Sequence, residues 1–204
     1  MIHRSFIIAL FAAIHLLGAY SFPGLALGEG GGPPPVSKRY DEAKFYYNQL
    51  QTNPKLSSTR DNWLKGTRNF RRIYLSSPKS KFAAPCLFML GGLYQDMYQI
   101  FEKPLDLDES VSYYKDIVRL FPQHVLADDA YFELADIFLK KQDPPRASEF
   151  LTEIVTNYTS GDMHSKAEDL LKILSKEHNI ALPKIMVSDS GENKLSYVLP
   201  VKYW

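Results

Sequence analysis

Apolar residues recur at three- and four-residue intervals through most of the chain, the spacing of one face of an α-helix. Tyr40, Ala43, Tyr46, Tyr47 and Leu50 predict a first helix over 38–52, closed by Asn53-Pro54. Trp63, Phe70, Ile73 and Tyr74 predict a second over 58–76, with Gly66 admitting close approach and Ser77-Pro78 ending it. A third, over 82–101, turns Leu87, Leu90, Gly91, Tyr94 and Met97 or Tyr98 inward. Pro85 falls in its first turn, where a missing N–H costs nothing. Residues 103–107 read as a short loop. Asp108-Glu109-Ser110 then opens a fourth helix, with acidic residues at its positive end. Val111, Tyr114, Ile117, Val118 and Leu120 or Phe121 form its stripe, and Pro122 stops it. Ala130, Leu134, Ile137 and Phe138 predict a fifth helix over 126–139, followed by a turn from Gln142 to Pro145. Ala147, Phe150, Leu151, Ile154 and Val155 form a sixth stripe, broken at Gly161-Asp162. The seventh helix, over 165–176, buries Ala167, Leu170, Leu171 and Leu174.

Two of these stripes superpose. Ser110, Tyr114, Ile117, Val118 and Pro122 correspond to Ala147, Leu151, Ile154, Val155 and Thr159, an offset of 37 residues. Such an offset is near the helix–turn–helix repeat period of about 34. The small residue heading each stripe lets two helix backbones approach, and the next large residue fills the groove. The expected class is all-α: antiparallel helical hairpins stacked over 38–178 as a short solenoid. Each hairpin contributes to a core that none could bury alone.

Particular residues carry a resemblance. Leu90-Gly91 with Tyr94 matches the first helix of a tetratricopeptide repeat, and Leu134-Ala135 with Phe138 matches it with alanine for glycine. Ser110, Tyr114, Ile117 and Pro122 match the second helix with serine for alanine, and Ala147, Leu151 and Ile154 match it without the proline. Pro122-Gln123-His124-Val125-Leu126-Ala127-Asp128-Asp129-Ala130 resembles the junction of the longer, periplasmic variant of that repeat. Arg60-Asp61-Asn62-Trp63 with Phe70, Asp106-Leu107, and Gly161-Asp162-Met163 before Lys166-Ala167 extend the likeness. They are similar to the front region of exported N-acetylmuramoyl-L-alanine amidases. That resemblance implies a non-catalytic scaffold ahead of a β-rich cell-wall-targeting domain and a zinc amidase domain. It implies a protein partner, with cell-wall association through the downstream domain.

The ends of the chain read differently. Met1-Ile2-His3-Arg4 is a basic start, residues 6–19 are apolar, Pro23 and Gly24 break the run, and Ala26 and Gly28 are small. This is the pattern of a secretory signal peptide over 1–28. An uncleaved anchor is the alternative; if cleavage occurs, no stable membrane insertion is expected. Residues 29–37 form a Gly/Pro linker. The expected location is the periplasm or another exported compartment. Beyond a linker over 179–194, Leu195, Tyr197, Leu199, Val201 and Tyr203 alternate as in a β-strand. They read as the start of a targeting domain continuing past Trp204.

Composition adds mainly exclusions. The net charge of +1 gives no overall field toward nucleic acid, and none is expected as a partner. Arg68, Arg71, Arg72, Lys79 and Lys81 form the densest basic group and read as a solvated face, with a polyanion site as the alternative. Cys86 is the single cysteine; it cannot pair within the chain and reads as a small buried hydrophobe. His124, His164 and His178 fall in or beside separate turns and suggest no converging metal site; no cofactor or metal is expected. Asp128-Asp129 reads as a pair at a positive helix end, with a cation site or contact with a basic partner as the sharper alternatives. Ser112, Ser148 and Ser165 lack an arranged His and Asp. Asp96 with Glu102, or Asp128 with Glu133, are carboxylate pairs that spacing alone cannot assign. Trp63 reads as core, although a solenoid's concave face could use it. The expectation is therefore contact without catalysis. The runners-up are part of an active zinc amidase, or an outer-membrane assembly repeat protein, which the missing lipid-attachment cysteine opposes.

Overall fold

Helix-forming stripes closed by proline and polar turns give eight α-helices in a computed structural model, which describes residues 33–180 and residue 183. These are α1 (Val36–Thr52), α2 (Pro54–Ser57), α3 (Arg60–Ser76), α4 (Ala83–Phe101), α5 (Pro104–Leu120), α6 (Ala127–Lys140), α7 (Pro144–Asn157) and α8 (His164–His178). The described residues are all-helical, with no strand among them. The signal segment, the start of the linker and the C-terminal strand expected over 195–204 lie outside the described residues. No helix among the described residues is long and apolar enough to cross a membrane.

Several boundaries depart from the sequence pattern for identifiable reasons. Val36 and Ser37, assigned to the linker, already belong to α1. Asn53-Pro54 does not simply end α1. The Asn53 side chain accepts the Lys55 N–H, Pro54 supplies a preset first helical residue, and the single turn α2 follows. That turn has a use: its Ser57 carbonyl accepts the Trp63 indole N–H at 2.9 Å. Only Lys103 of the expected loop over 103–107 lies outside a helix. Pro104 begins α5, so the acidic residue of its first turn is Asp106 rather than Asp108. Pro144 likewise starts α7 inside the expected turn, after a left-handed Gln142 and with Asp143 accepting the Arg146 N–H at 3.2 Å.

Consecutive helices pack on one another along the chain: α3 on α4, α4 on α5, α5 on α6, α6 on α7 and α7 on α8, with α1 on α3. Short turns between packed neighbours make them antiparallel. One apolar core runs from α1 to α6 and a second from α6 to α8; Val111, Tyr131 and Phe150 border both. Trp63, Phe70, Leu90, Tyr94, Tyr114, Ile117, Ala130, Leu134, Ala135, Phe138, Ala147, Leu151 and Ile154 are all buried, as are Gly66, Gly91 and Ser110. Pro122 is exposed, but its carbonyl accepts the Tyr158 hydroxyl at 3.0 Å. Close approach is literal at Gly91. A Cβ there would sit 2.6 Å from Tyr114 Cζ, and Ser110 Oγ donates to the Gly91 carbonyl at 2.9 Å.

One local structure occurs three times. Ser77, Phe121 and Tyr158 end α3, α5 and α7 with φ of −150°, −134° and −124° and ψ of 59°, 49° and 50°. Three residues later Ser80, His124 and Gly161 donate back to those carbonyls, and Ala83, Ala127 and His164 donate to the carbonyls of Ser80, His124 and Gly161. Phe82, Leu126 and Met163 then precede α4, α6 and α8 with nearly equal dihedrals. The spacing between recurrences is not constant, because α4 and α5 are longer than α6 and α7.

Candidate functional site

Polar residues interrupt the apolar stripes of α1, α4 and α6 at places that meet in space. Tyr47 of α1 donates its hydroxyl to Asp96 Oδ2 of α4 at 2.7 Å, and Gln51 Nε2 donates to the same oxygen at 3.1 Å. Next to Asp96, Gln95 donates to Glu133 Oε2 of α6 at 2.6 Å and to the Tyr114 hydroxyl at 3.2 Å. Lys140 donates to Gln95 Oε1 at 3.2 Å and pairs with Asp136 at 2.6 Å. These bonds link four helices, α1, α4, α5 and α6. Gln95 is buried, so its amide is oriented by the network rather than by water.

Burial sets the proton states here. It raises the Glu133 carboxyl above the usual carboxylate range, with the Gln95 bond opposing the rise. Burial, joined by Asp96, pushes the Tyr47 phenol well above its ordinary value, and burial does the same to Tyr114. Both phenols therefore stay protonated at neutral pH: Tyr47 donates to Asp96, and Tyr114 accepts from Gln95. Burial pushes the Cys86 thiol up to about 12, which removes thiolate character.

A second polar locus forms where two of the recurrent turns face each other. Asp128 and Asp129, in the first turn of α6, meet Asp162 of the α7–α8 turn, with one oxygen of each within 4.8 Å of the others. Asp128 is buried, and its Oδ2 accepts the Met163 N–H at 3.4 Å. Gly161 lies against that carboxylate so closely that any Cβ would collide with it. Asp128 thus ties the α6 N-terminus to the entry of α8. Burial first, then Asp162 and Asp128, raises the Asp129 carboxyl to about 6. Beside the trio lies an open cleft of about 710 Å³, walled by His124, Tyr131, Glu153, Asn157 and Tyr158.

The residues singled out in the sequence are redistributed accordingly. Trp63 is enclosed by core, with Tyr47 edge-on at 6.4 Å. Asp96 is bonded to Tyr47 and Gln51, and Glu102 instead closes α4 as an exposed left-handed cap. Asp128 and Glu133 bond to different partners, Met163 and Gln95. His124 Nδ1 accepts the Leu126 N–H at 3.1 Å, and His164 and His178 occupy opposite ends of α8. Sequence reasoning passed over the pairing of Arg60 with Asp106. Two hydrogen bonds of 2.6 and 2.7 Å join them, with the Asp106 side chain almost fully enclosed. The available signal was a carboxylate two residues after Pro104, among apolar neighbours. Gln95 and Asp96 gave a similar signal as adjacent polar residues inside an otherwise apolar helix.

No protein-family model matches the chain, and no significant match is found among curated proteins or solved structures.

Proposed function

We propose that the chain is a non-catalytic helical-repeat scaffold for protein–protein contact, of tetratricopeptide-like design, acting outside the cytoplasm as the front region of a cell-wall amidase. The observation that carries the repeat reading is the turn that occurs three times with the same caps and hydrogen bonds. A chain that reuses one hairpin joint builds a surface by stacking, and stacked hairpins present extended faces suited to polypeptide partners. At the face shared by α1, α4 and α6, the buried Tyr47 and Gln95 hold the more accessible Gln51, Asp96, Glu133 and Lys140 in place, polar groups of the kind that recognise a peptide backbone. The exported location rests on the N-terminal sequence pattern, and the amidase context on residue resemblance alone.

Two experiments separate this reading from an active amidase. Purified chain incubated with zinc and dye-labelled peptidoglycan should release no dye; release would overturn the non-catalytic assignment. Reading the gene past the Trp204 codon tests the context. An open frame encoding a β-rich domain and a His/Glu zinc site supports it, and a stop codon there removes it.

A further inference from the structure

The net charge of +1 conceals a division of the molecule. Residues 38–103, from α1 through α4, hold twelve Lys and Arg against five Asp and Glu. Residues 104–178, from α5 through α8, hold eight Lys and Arg against fifteen Asp and Glu. One half carries a surplus of seven positive charges and the other a surplus of seven negative ones.

Part of each surplus lies together on one surface. On α3, Lys65, Arg68 and Arg72 are exposed and follow one another at helical spacing along one face. Among the described residues none of these three forms a salt bridge; Arg60 is the only cation of α3 that does. Arg71 is occupied differently, donating to the Tyr113 hydroxyl at 2.6 Å. The opposite charge gathers at the cleft between the α5–α6 and α7–α8 turns. Asp128, Glu153 and Asp162 line it with Tyr131 and Tyr158, and Asp129 stands beside it. Lys166 is the cation felt by that cluster. Carboxylates beside tyrosine rings receive a guanidinium well, through charge-assisted hydrogen bonds and through the ring face.

We propose that copies of this chain associate head to tail, the α3 cation face of one copy seating in the α5–α8 acidic cleft of the next. A single contact of this kind engages both the basic face and the acidic cleft, whereas a polyanion would engage only the basic one. Within one copy the two surfaces belong to different hairpins: α3 packs on α1 and α4, and the cleft is built by the turns of α5–α8. Because the patches differ, the contact is heterologous and propagates into a closed ring or an open filament. Opposed charge fields speed encounter and fix register. The proposal rests on the scaffold reading only in taking the partner to be a protein.

Sedimentation velocity of the purified chain tests it. At about 0.1 M salt the Debye length is roughly 10 Å, and at about 1 M roughly 3 Å. Species larger than a monomer are expected in the first condition, with their loss in the second. Arg68→Glu with Arg72→Glu should abolish assembly, as should Glu153→Lys with Asp162→Lys. Mixed together, the two double variants offer one parent contact and one charge-swapped contact, so the mixture should recover the assembly that neither shows alone. Thermal melts matching the parent establish that the variants are folded. If either double variant melts lower, the single Asp162→Lys change, in an exposed turn, carries the test. A parent chain that is monomeric at low salt overturns the proposal, as does assembly indifferent to both charge reversals. So does a monomer held on a sulfated polysaccharide through α3, which would assign the cation face to a polyanion. Those outcomes remove self-association alone, because contact with a different protein is read separately by cross-linking.

Discussion

The α3–α5 region and the α6–α8 region use the same joint between helices and fill it in different ways. In the first, large rings and a buried ion pair do the filling. Tyr114 lies over Gly91, Trp63 reaches α2, and Arg60 grips Asp106. In the second, the close contacts are made by Ala130, Ala135, Ala147 and Ala167, and one buried carboxylate, Asp128, holds the turn. Their surfaces also carry opposite charge. The backbone joint is therefore specified by a few small and apolar positions. Surface charge is left free to differ.

The largest expected effect tests whether the interior is as exacting in the alanine-rich region. Leu134→Asp places an unpaired charge in a fully enclosed stripe and should cost roughly 4 kcal/mol, measured by urea unfolding. A loss no larger than that of a surface change would show that α6 is not packed as described. Asp106→Ala strands the Arg60 guanidinium at the junction of the two charge halves. It should cost about 2–3 kcal/mol, moderated because Arg60 retains some access to water.

Gly91→Ala and Gly92→Ala sharpen the contrast within one helix. At Gly91 the added methyl meets the rigid Tyr114 ring at 2.6 Å and should cost about 1–3 kcal/mol. At Gly92 it meets the Tyr47 hydroxyl at 3.2 Å, where a small adjustment suffices. Alanine's helix preference there should leave a net change within about 1 kcal/mol of zero. Equal losses at both sites would contradict the tight fit over Gly91.

Acid should strengthen the contact between the first turn of α6 and the α7–α8 turn. The Asp129 carboxyl is raised to about 6 in the folded chain from an ordinary 3.8, so the native state binds the extra proton between those values. Its contribution to stability is therefore most favourable below pH ~4, falls as pH rises through about 6, and is flat beyond. Asp129→Asn should flatten that part of a melting-temperature profile and raise stability at neutral pH. The smallest effect belongs to the exposed Arg119–Asp116 pair: Asp116→Asn should change stability by less than about 0.5 kcal/mol.

Helical content and most inward positions were legible because they obey a 3.6-residue period. Ser110 and Ala147, 37 residues apart, head their stripes and are buried. Helix starts were less legible, since Pro104 and Pro144 read equally well as turn residues and as first helical residues. Polar partners were the least legible. The bonds of Gln95 to Glu133 and of Arg60 to Asp106 span 38 and 46 residues, and no local pattern marks them. The charge division was present in the sequence but vanished in the whole-chain sum, which cancels opposite surpluses.

Photo-cross-linking in the chain's own compartment tests the scaffold account most directly. A photoreactive residue at Gln99, an exposed α4 position one turn beyond Gln95, and another at Arg72 on α3 would sample the two proposed contact regions. The account predicts a discrete adduct with a polypeptide, a second copy included, from at least one of these positions. It also predicts none from a control at exposed Lys55 of α2. Absence of any polypeptide adduct from both positions would contradict a function built on protein contact.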